Sequence, residues 1–313
     1  MVMLWFLFKN QDISALYQKL LSSNYILILG SIVLAMISHW IRAYRWRMLI
    51  NPLGYSISTF RTFLAVMVGY VANLVLPRMG EVVKCGVLNK LEKVPVTKSF
   101  GTVVVERIID LIMLVILLSL TFVLEYKLIK AFMLDWLSSI YDKIGDAQFL
   151  LFISGIVLFI GIVFIVWLFK KENSTIASKV KAFLNELVEG LLSIRKVENK
   201  LMFWLSTLMI WVLYYTMSYI VVFALPETAG LGMVAGLAIL SMGSIGMTAP
   251  VQGGIGAYHF MVSSILVLYG IKYEDGLAFA TILHAAQTLG VIAVGSISMI
   301  ITSLIGKKIN AQK

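Results

Sequence analysis

Three ionisable residues stand just past a helix breaker: Arg78, Glu81 and Lys84, at intervals of three after Pro77. In one helix that spacing puts all three on a single face. Two cations beside a carboxylate could hold a phosphate through charge-assisted hydrogen bonds, with the carboxylate balancing charge or carrying a proton. The approach to them, from Phe63 to Leu76, is apolar, and Asn73 and Gly80 flank the break. Apolar walls around a broken, charged centre predict a site inside a membrane, where irregular backbone survives only against protein or a water-filled cavity.

Other groups are available to the same chemistry. Glu106 and Asp110 share a face at i, i+4, with Arg107 beside them. This trio reads either as structural charge pairing facing protein or as part of the site. Gly246-Met247-Thr248-Ala249-Pro250-Val251-Gln252-Gly253-Gly254-Ile255-Gly256 forms a second break in an uncharged stretch. It could offer free backbone amides at Gly253, Gly254 and Gly256, together with Gln252 and His259, to an anion. Its glycines could equally serve close helix packing. Arg42, Arg45 and Trp46 close the first full span and read as an interface collar, either a topology anchor or a lipid-headgroup contact.

Composition supplies the setting. With 60% hydrophobic and 13% charged residues and a mean hydropathy of +0.94, the chain is an integral membrane protein, not a soluble domain. Its formal charge of +10 follows the ends of the apolar segments, which points to membrane surfaces and not to nucleic acid. The single cysteine, Cys85, reads as a packing residue and excludes a disulfide within the chain. His39 and His284 read as packing residues in spans, and three scattered histidines give no metal spacing. No phosphate-binding loop of the nucleotide type occurs, so neither ATP nor any other cofactor is expected.

Several elements must position these groups. Met1 to Phe8 is apolar but too short to cross a bilayer, and Asp12 to Ser22 is amphipathic. Full spans are expected over Asn24–Ile41, Gly101–Leu124, Gln148–Phe169, Leu201–Pro226 and Leu277–Ile305, with a basic, surface-lying segment over Lys170–Lys200. Between them, Phe60–Val94 and Thr228–Ile271 each hold a broken hairpin. If Arg42–Arg61, Lys84–Lys98, Lys170–Lys200 and the C-terminal tail face the cytoplasm, they hold 4, 4, 7 and 3 basic residues, against six in the outer segments. That orientation makes the halves read span, broken hairpin, span in opposite senses, with Pro77-x-x-Gly80 matched by Pro250-x-x-Gly253. The expected fold class is an all-α integral membrane protein. It is a polytopic helical bundle with two opposed broken (re-entrant) helical hairpins forming an inverted repeat. A single domain over 1–313 divides into a first half (1–124), a connecting span and basic cytoplasmic segment (125–200) and a second half (201–306).

Four stretches, in order, carry a family likeness: Arg42-Ala43-Tyr44-Arg45-Trp46, Asn73-Leu74-Val75-Leu76-Pro77-Arg78-Met79-Gly80-Glu81, Val105-Glu106-Arg107-Ile108-Ile109-Asp110 and Pro250-Val251-Gln252-Gly253-Gly254-Ile255-Gly256. They resemble the lysylphosphatidylglycerol synthase transmembrane region, a flippase-like family, over about residues 1 to 305. The resemblance implies that the family's first helix starts upstream of Met1, so Val2 to Phe8 looks like the end of a truncated span. It also implies movement of lipids, typically aminoacylated phosphatidylglycerol, between leaflets. The aminoacyl-transferase domain of the full synthases is absent from 1–313, so lysine transfer and enzyme activity are not expected. Where this chain has His259 the family often has a glutamate, so an acidic role is not carried over there. The expected function is a lipid flippase or transporter of the bacterial inner membrane, multi-pass with a cytoplasmic C-terminus. Its partner would be a membrane lipid, a phospholipid or a polyprenyl-phosphate-linked lipid. An intramembrane transferase acting on a lipid headgroup, or a non-transporting membrane partner or regulator, are the alternatives.

Overall fold

The computed structural model of the chain describes residues 13–126 and 192–311, with positions 9, 130, 185 and 188. Among the described residues every regular element is helical. In chain order these are α1 (Ile13–Ser22), α2 (Tyr25–Ile50), α3 (Thr59–Val75), α4 (Met79–Glu92), α5 (Val96–Leu124), α6 (Lys200–Val222), α7 (Met233–Thr248), α8 (Ala257–Leu268) and α9 (Tyr273–Ala311). Short 3-10 turns lie at Asn51–Leu53, Ser193–Lys196 and Gln252–Gly254. The expected Met1–Phe8 segment, the span Gln148–Phe169 and positions 170–184, 186–187 and 189–191 of the Lys170–Lys200 segment lie outside the described residues.

Helices α2, α5, α6 and α9 are long and apolar enough to cross a bilayer. The other main helices are not. At 1.5 Å per residue, the 17 residues of α3 and 16 of α7 reach about 25 Å, and the 14 of α4 and 12 of α8 reach about 20 Å. A hydrocarbon core is about 30 Å thick. Each of these short helices packs on its chain neighbour, α3 on α4 and α7 on α8.

Local chemistry explains where the chain starts and stops. Asn24, Ser58 and Asn199 cap α2, α3 and α6 by accepting hydrogen bonds from Ile26, Arg61 and Met202 amides. Leu76 leaves α3 in an extended conformation and Pro77 follows, without an amide to continue the ladder. Arg78 then takes a left-handed conformation, φ 64°, before α4 begins. α4 lacks a cap from its own preceding residue, and Asn73 of α3 supplies one, its Oδ1 accepting from Gly80 N at 2.6 Å. At α7 the chain turns out through Ala249 and Pro250 and re-enters α8 through glycines at positive φ.

Several expectations about span ends are corrected: α5 begins at Val96 rather than Gly101, and α6 runs Lys200–Val222 rather than Leu201–Pro226. The first span does not stop at Ile41 but runs unbroken to Ile50, because nothing between Arg42 and Arg47 interrupts helix formation and its arginines find buried partners. The final span extends from Tyr273 to Ala311 rather than from Leu277 to Ile305.

Packing sets the two ends of the bundle. At one end, Arg47 bonds Thr59, Arg61 pairs with Glu92, and the Lys90 side chain lies against Gly306. At the other, the Asn24 amide donates to Ala224 O, and Lys19 meets both Asp275 and Glu227. An apolar core of Ala43, Trp46, Ile50, Val66, Cys85, Leu88 and Val103 holds α2 to α5 together. A second core, including Ile28, Val221, Ile239, Val262, Leu266, Phe279 and Leu283, joins α2 to α6 and α7 to α9.

Candidate functional site

Between these cores the charges of three helices converge. Arg42 and Arg45 of α2, one turn apart, reach Asp110 of α5, at 2.9 Å to Oδ2 and 2.8 Å to Oδ1. Arg45 also lies 3.6 Å from Glu106 Oε1, and Lys84 of α4 donates to Glu106 Oε2 at 2.6 Å. Arg45 and Glu106 are wholly enclosed, at 0% exposure. Tyr214 OH lies 3.2 Å from Arg42 Nε and Thr207 Oγ1 3.3 Å from Arg45 Nη1, while Arg45 Nε and Glu106 Oε1 are buried without a hydrogen-bond partner. The Lys84 ammonium sits 4.3 Å from the Trp46 ring centre, a cation–π contact, and Trp46 Nε1 donates to Thr102. Buried charges persist only when paired and hydrogen-bonded, and each of these has a partner on another helix.

The expected interface collar is therefore corrected. Arg42, Arg45 and Trp46 lie inside the bundle because Asp110, Glu106 and Thr102 face them, whereas headgroups would require exposure. A second correction concerns Arg78, Glu81 and Lys84. They do not share one helical face, since Arg78 precedes α4 in a left-handed conformation and its guanidinium donates to Thr248 O of α7. Glu81 and Lys84 remain on α4 and line a small, partly open cleft with Tyr70, Asn73, Gly80 and Arg107.

Arg107, 42% exposed at its side chain, spans the cleft mouth, 3.6 Å from Glu81 Oε1 and 3.8 Å from Asp110 Oδ2. It is not alone among the two carboxylates of its own helix; Arg42, Arg45 and Lys84 reach them from other helices. Four cations, Arg42, Arg45, Lys84 and Arg107, face three carboxylates, Glu81, Glu106 and Asp110, and leave one formal positive charge at the cleft. Glu81 Oε2 is buried without a hydrogen-bond partner. The arrangement can attract an anion to Arg107 and Lys84 while offering Glu81 as an acceptor.

The crossing of α3 and α4 depends on two glycines. A Cβ on Gly69 would lie 2.8 Å from Gly80 O and 3.1 Å from Lys84 Cβ, and one on Gly80 would strike the Asn73 side chain. Only glycine at both places lets the helices approach closely enough to shape the cleft.

The two breaks meet. Gln252 Nε2 donates to Val75 O at 3.2 Å, Gly253 faces Leu74, and Arg78 reaches Thr248 O. Of the three glycine amides expected to cradle an anion, two are already engaged, Gly254 N donating to Val251 O and Gly256 N to His259 Nδ1. His259 is buried at the start of α8, and His284 of α9 bonds Gly253 O at 2.8 Å. Pro250 follows directly on α7 and ends it. Sequence reasoning missed Gly69, Tyr70, Thr102, Thr207, Tyr214 and Thr248. The first could have been sought as a small residue one helix away from Gly80; the hydroxyl partners and Thr248 carry no local signal.

A family model described as the lysylphosphatidylglycerol synthase TM region matches residues 1–295. The UPF0104 membrane protein MJ1595 of Methanocaldococcus jannaschii is 33% identical over 116 residues, which is 36% of this chain and 34% of that protein. The aligned part thus spans about a third of that relative's length. No solved structure matches the chain.

Proposed function

The chain belongs to the lysylphosphatidylglycerol synthase TM region family of multi-pass membrane proteins, and on that premise we propose that it moves a phosphate-bearing lipid between leaflets. The observation that carries this reading is the small, partly open cleft with one formal positive charge in excess, set beside the meeting point of two helix breaks. A phosphate would contact Arg107 at the mouth and Lys84 within, displacing part of the Glu81 and Glu106 pairing, while the lipid tails stay in the bilayer. Glu81 would balance charge or accept a hydrogen bond from the headgroup.

In this reading α3–α4 and α7–α8 are re-entrant pairs, too short to span, that enter from opposite sides and touch by their tips. Such opposed, interrupted helices form the inverted repeats of transporters, which open to each side in turn. The end bearing Arg47, Arg61, Lys90, Lys93, Lys307 and Lys308 faces the cytoplasm of a bacterial inner membrane, by the bias of basic residues to that side. The protein acts as a transporter, with the membrane lipid as its partner.

The test is transbilayer movement of headgroup-labelled phospholipids and polyprenyl phosphates in liposomes holding purified protein. Wild type is expected to move at least one of these lipids, and Glu81→Gln and Arg78→Ala to slow it at least tenfold at equal reconstitution. Folded protein that moves none of them, or that instead converts a headgroup, contradicts the proposal.

A further inference from the structure

Two histidines hold the glycine turn that separates α7 from α8, and each holds a different kind of backbone group. His259 Nδ1 accepts the Gly256 amide at 3.3 Å, so that nitrogen carries no proton while the contact stands. His284 Nε2 lies 2.8 Å from Gly253 O, and since a carbonyl can only accept, that nitrogen carries one. The rings are 4.9 Å apart, and Tyr258 is 5.2 Å from the His284 ring. Gly253, Gly254 and Gly256 are all at positive φ, so the turn has a shape of its own that these contacts hold. This same turn carries the contacts to the first break, Gln252 to Val75 O and Gly253 to Leu74.

The consequence of a proton differs between the two rings. Protonated His284 keeps its donor at Nε2, and its contact survives. A proton arriving at His259 Nδ1 turns the acceptor into a donor pointing at the Gly256 N–H, and that contact breaks. Among the described residues, the rings packed against His259 are Tyr258 on its own helix and His284 from α9, while α7 has no titratable side chain. Across the seam Arg78 donates to Thr248 O.

We infer that His259 is a positioning residue with a proton-sensitive state: neutral, it pins the glycine turn against the first break, and protonated at Nδ1 it releases the turn and parts the seam. For its meaning in transport the inference rests on the lipid-transport reading, but its test does not. Leu74→Cys places a thiol in the seam, and Cys85, which is buried, gives the background. Labelling by a water-soluble methanethiosulfonate reagent is followed against pH, each rate normalised to the same thiol in unfolded protein. Wild type at His259 is expected to label at least fivefold faster once the ring is protonated. His259→Asn, whose Oδ1 can replace Nδ1 as acceptor but does not titrate, should label slowly at every pH. His259→Ala should label fast at every pH, and His284→Gln, which keeps a donor, should retain the pH response.

Nitrogen NMR of histidine-labelled protein without the new cysteine is the companion measurement, because the chain has only three histidines. It should show His259 protonated at Nε2 alone in the pinned state, gaining Nδ1–H over the same pH interval in which labelling rises. An Nδ1-protonated neutral His259, or an unaltered pH response in His259→Asn, overturns the inference. A protein that moves no lipid yet shows this His259-dependent opening would sink the transport reading and leave the inference standing.

Discussion

Lys84 Nζ lies 2.6 Å from Glu106 Oε2, both side chains inside the bundle, and this pair ties the short helix α4 to the long helix α5. Removing one partner would leave an uncompensated buried charge, at a cost of about 3–5 kcal/mol. Glu106→Gln and Lys84→Met are each expected to lower stability by about that much in denaturant unfolding of the detergent-solubilised protein. The double variant should lose clearly less than the two losses added together. Strict additivity would show that the pair is not coupled.

Arg107 is expected to behave in the opposite way. It is 42% exposed and its ion contacts are 3.6 and 3.8 Å long, so water and salt weaken them. Partly exposed pairs of this kind contribute about 0–1 kcal/mol. Arg107→Ala should therefore leave unfolding within about 1 kcal/mol of wild type while reducing lipid movement at least tenfold. A loss of stability as large as that of Glu106→Gln would recast Arg107 as part of the structural network.

The α3–α4 crossing gives a matched pair of substitutions. Gly69→Ala puts a methyl 2.8 Å from Gly80 O, a backbone atom that cannot swing aside, and overpacking of this kind costs about 1–3 kcal/mol. Gly86, on the same hairpin, has nothing within 4 Å of its added Cβ. Gly86→Ala should be neutral or slightly stabilising by the better helix propensity of alanine. Unfolding curves that ranked the two the other way would contradict the close approach of Gly69 and Gly80.

At Arg78 the backbone and the side chain make opposed demands. Its φ of 64° costs a non-glycine residue about 1–2 kcal/mol, while its guanidinium joins the two breaks through Thr248 O. Arg78→Gly relieves the first and removes the second. Stability equal to wild type within about 1 kcal/mol, together with lost transport, is the expected result. A variant that still transports at the wild-type rate would show that the bridge has no part in it.

Much of this arrangement was legible in the sequence. Pro77 and the Pro250–Gly256 run marked both breaks because they change the backbone locally, and apolar length marked α2, α5, α6 and α9. The partnership of α2 with α5 was half visible: Arg42 and Arg45 are one turn apart, as are Glu106 and Asp110, and their signs are complementary. What spacing could not say is that these two faces meet, so the arginines read as a collar at a membrane surface. The hydroxyls of Thr102, Thr207 and Tyr214 were invisible for a related reason, since such residues are common in spans and only tertiary packing turns three of them into partners of Trp46, Arg45 and Arg42. Arg78 was misplaced because a left-handed, non-glycine residue leaves no trace in residue type.

Transport requires that a lipid headgroup use the cleft between α3, α4 and α5. The direct measurement is the rate at which a headgroup-labelled anionic lipid crosses the bilayer of liposomes holding equal amounts of wild type, Arg107→Ala and Gly86→Ala, with empty liposomes as baseline. Fast movement by wild type and Gly86→Ala, with Arg107→Ala near the baseline and still folded, is the predicted result. Movement by Arg107→Ala at the wild-type rate would contradict it and place the lipid path elsewhere.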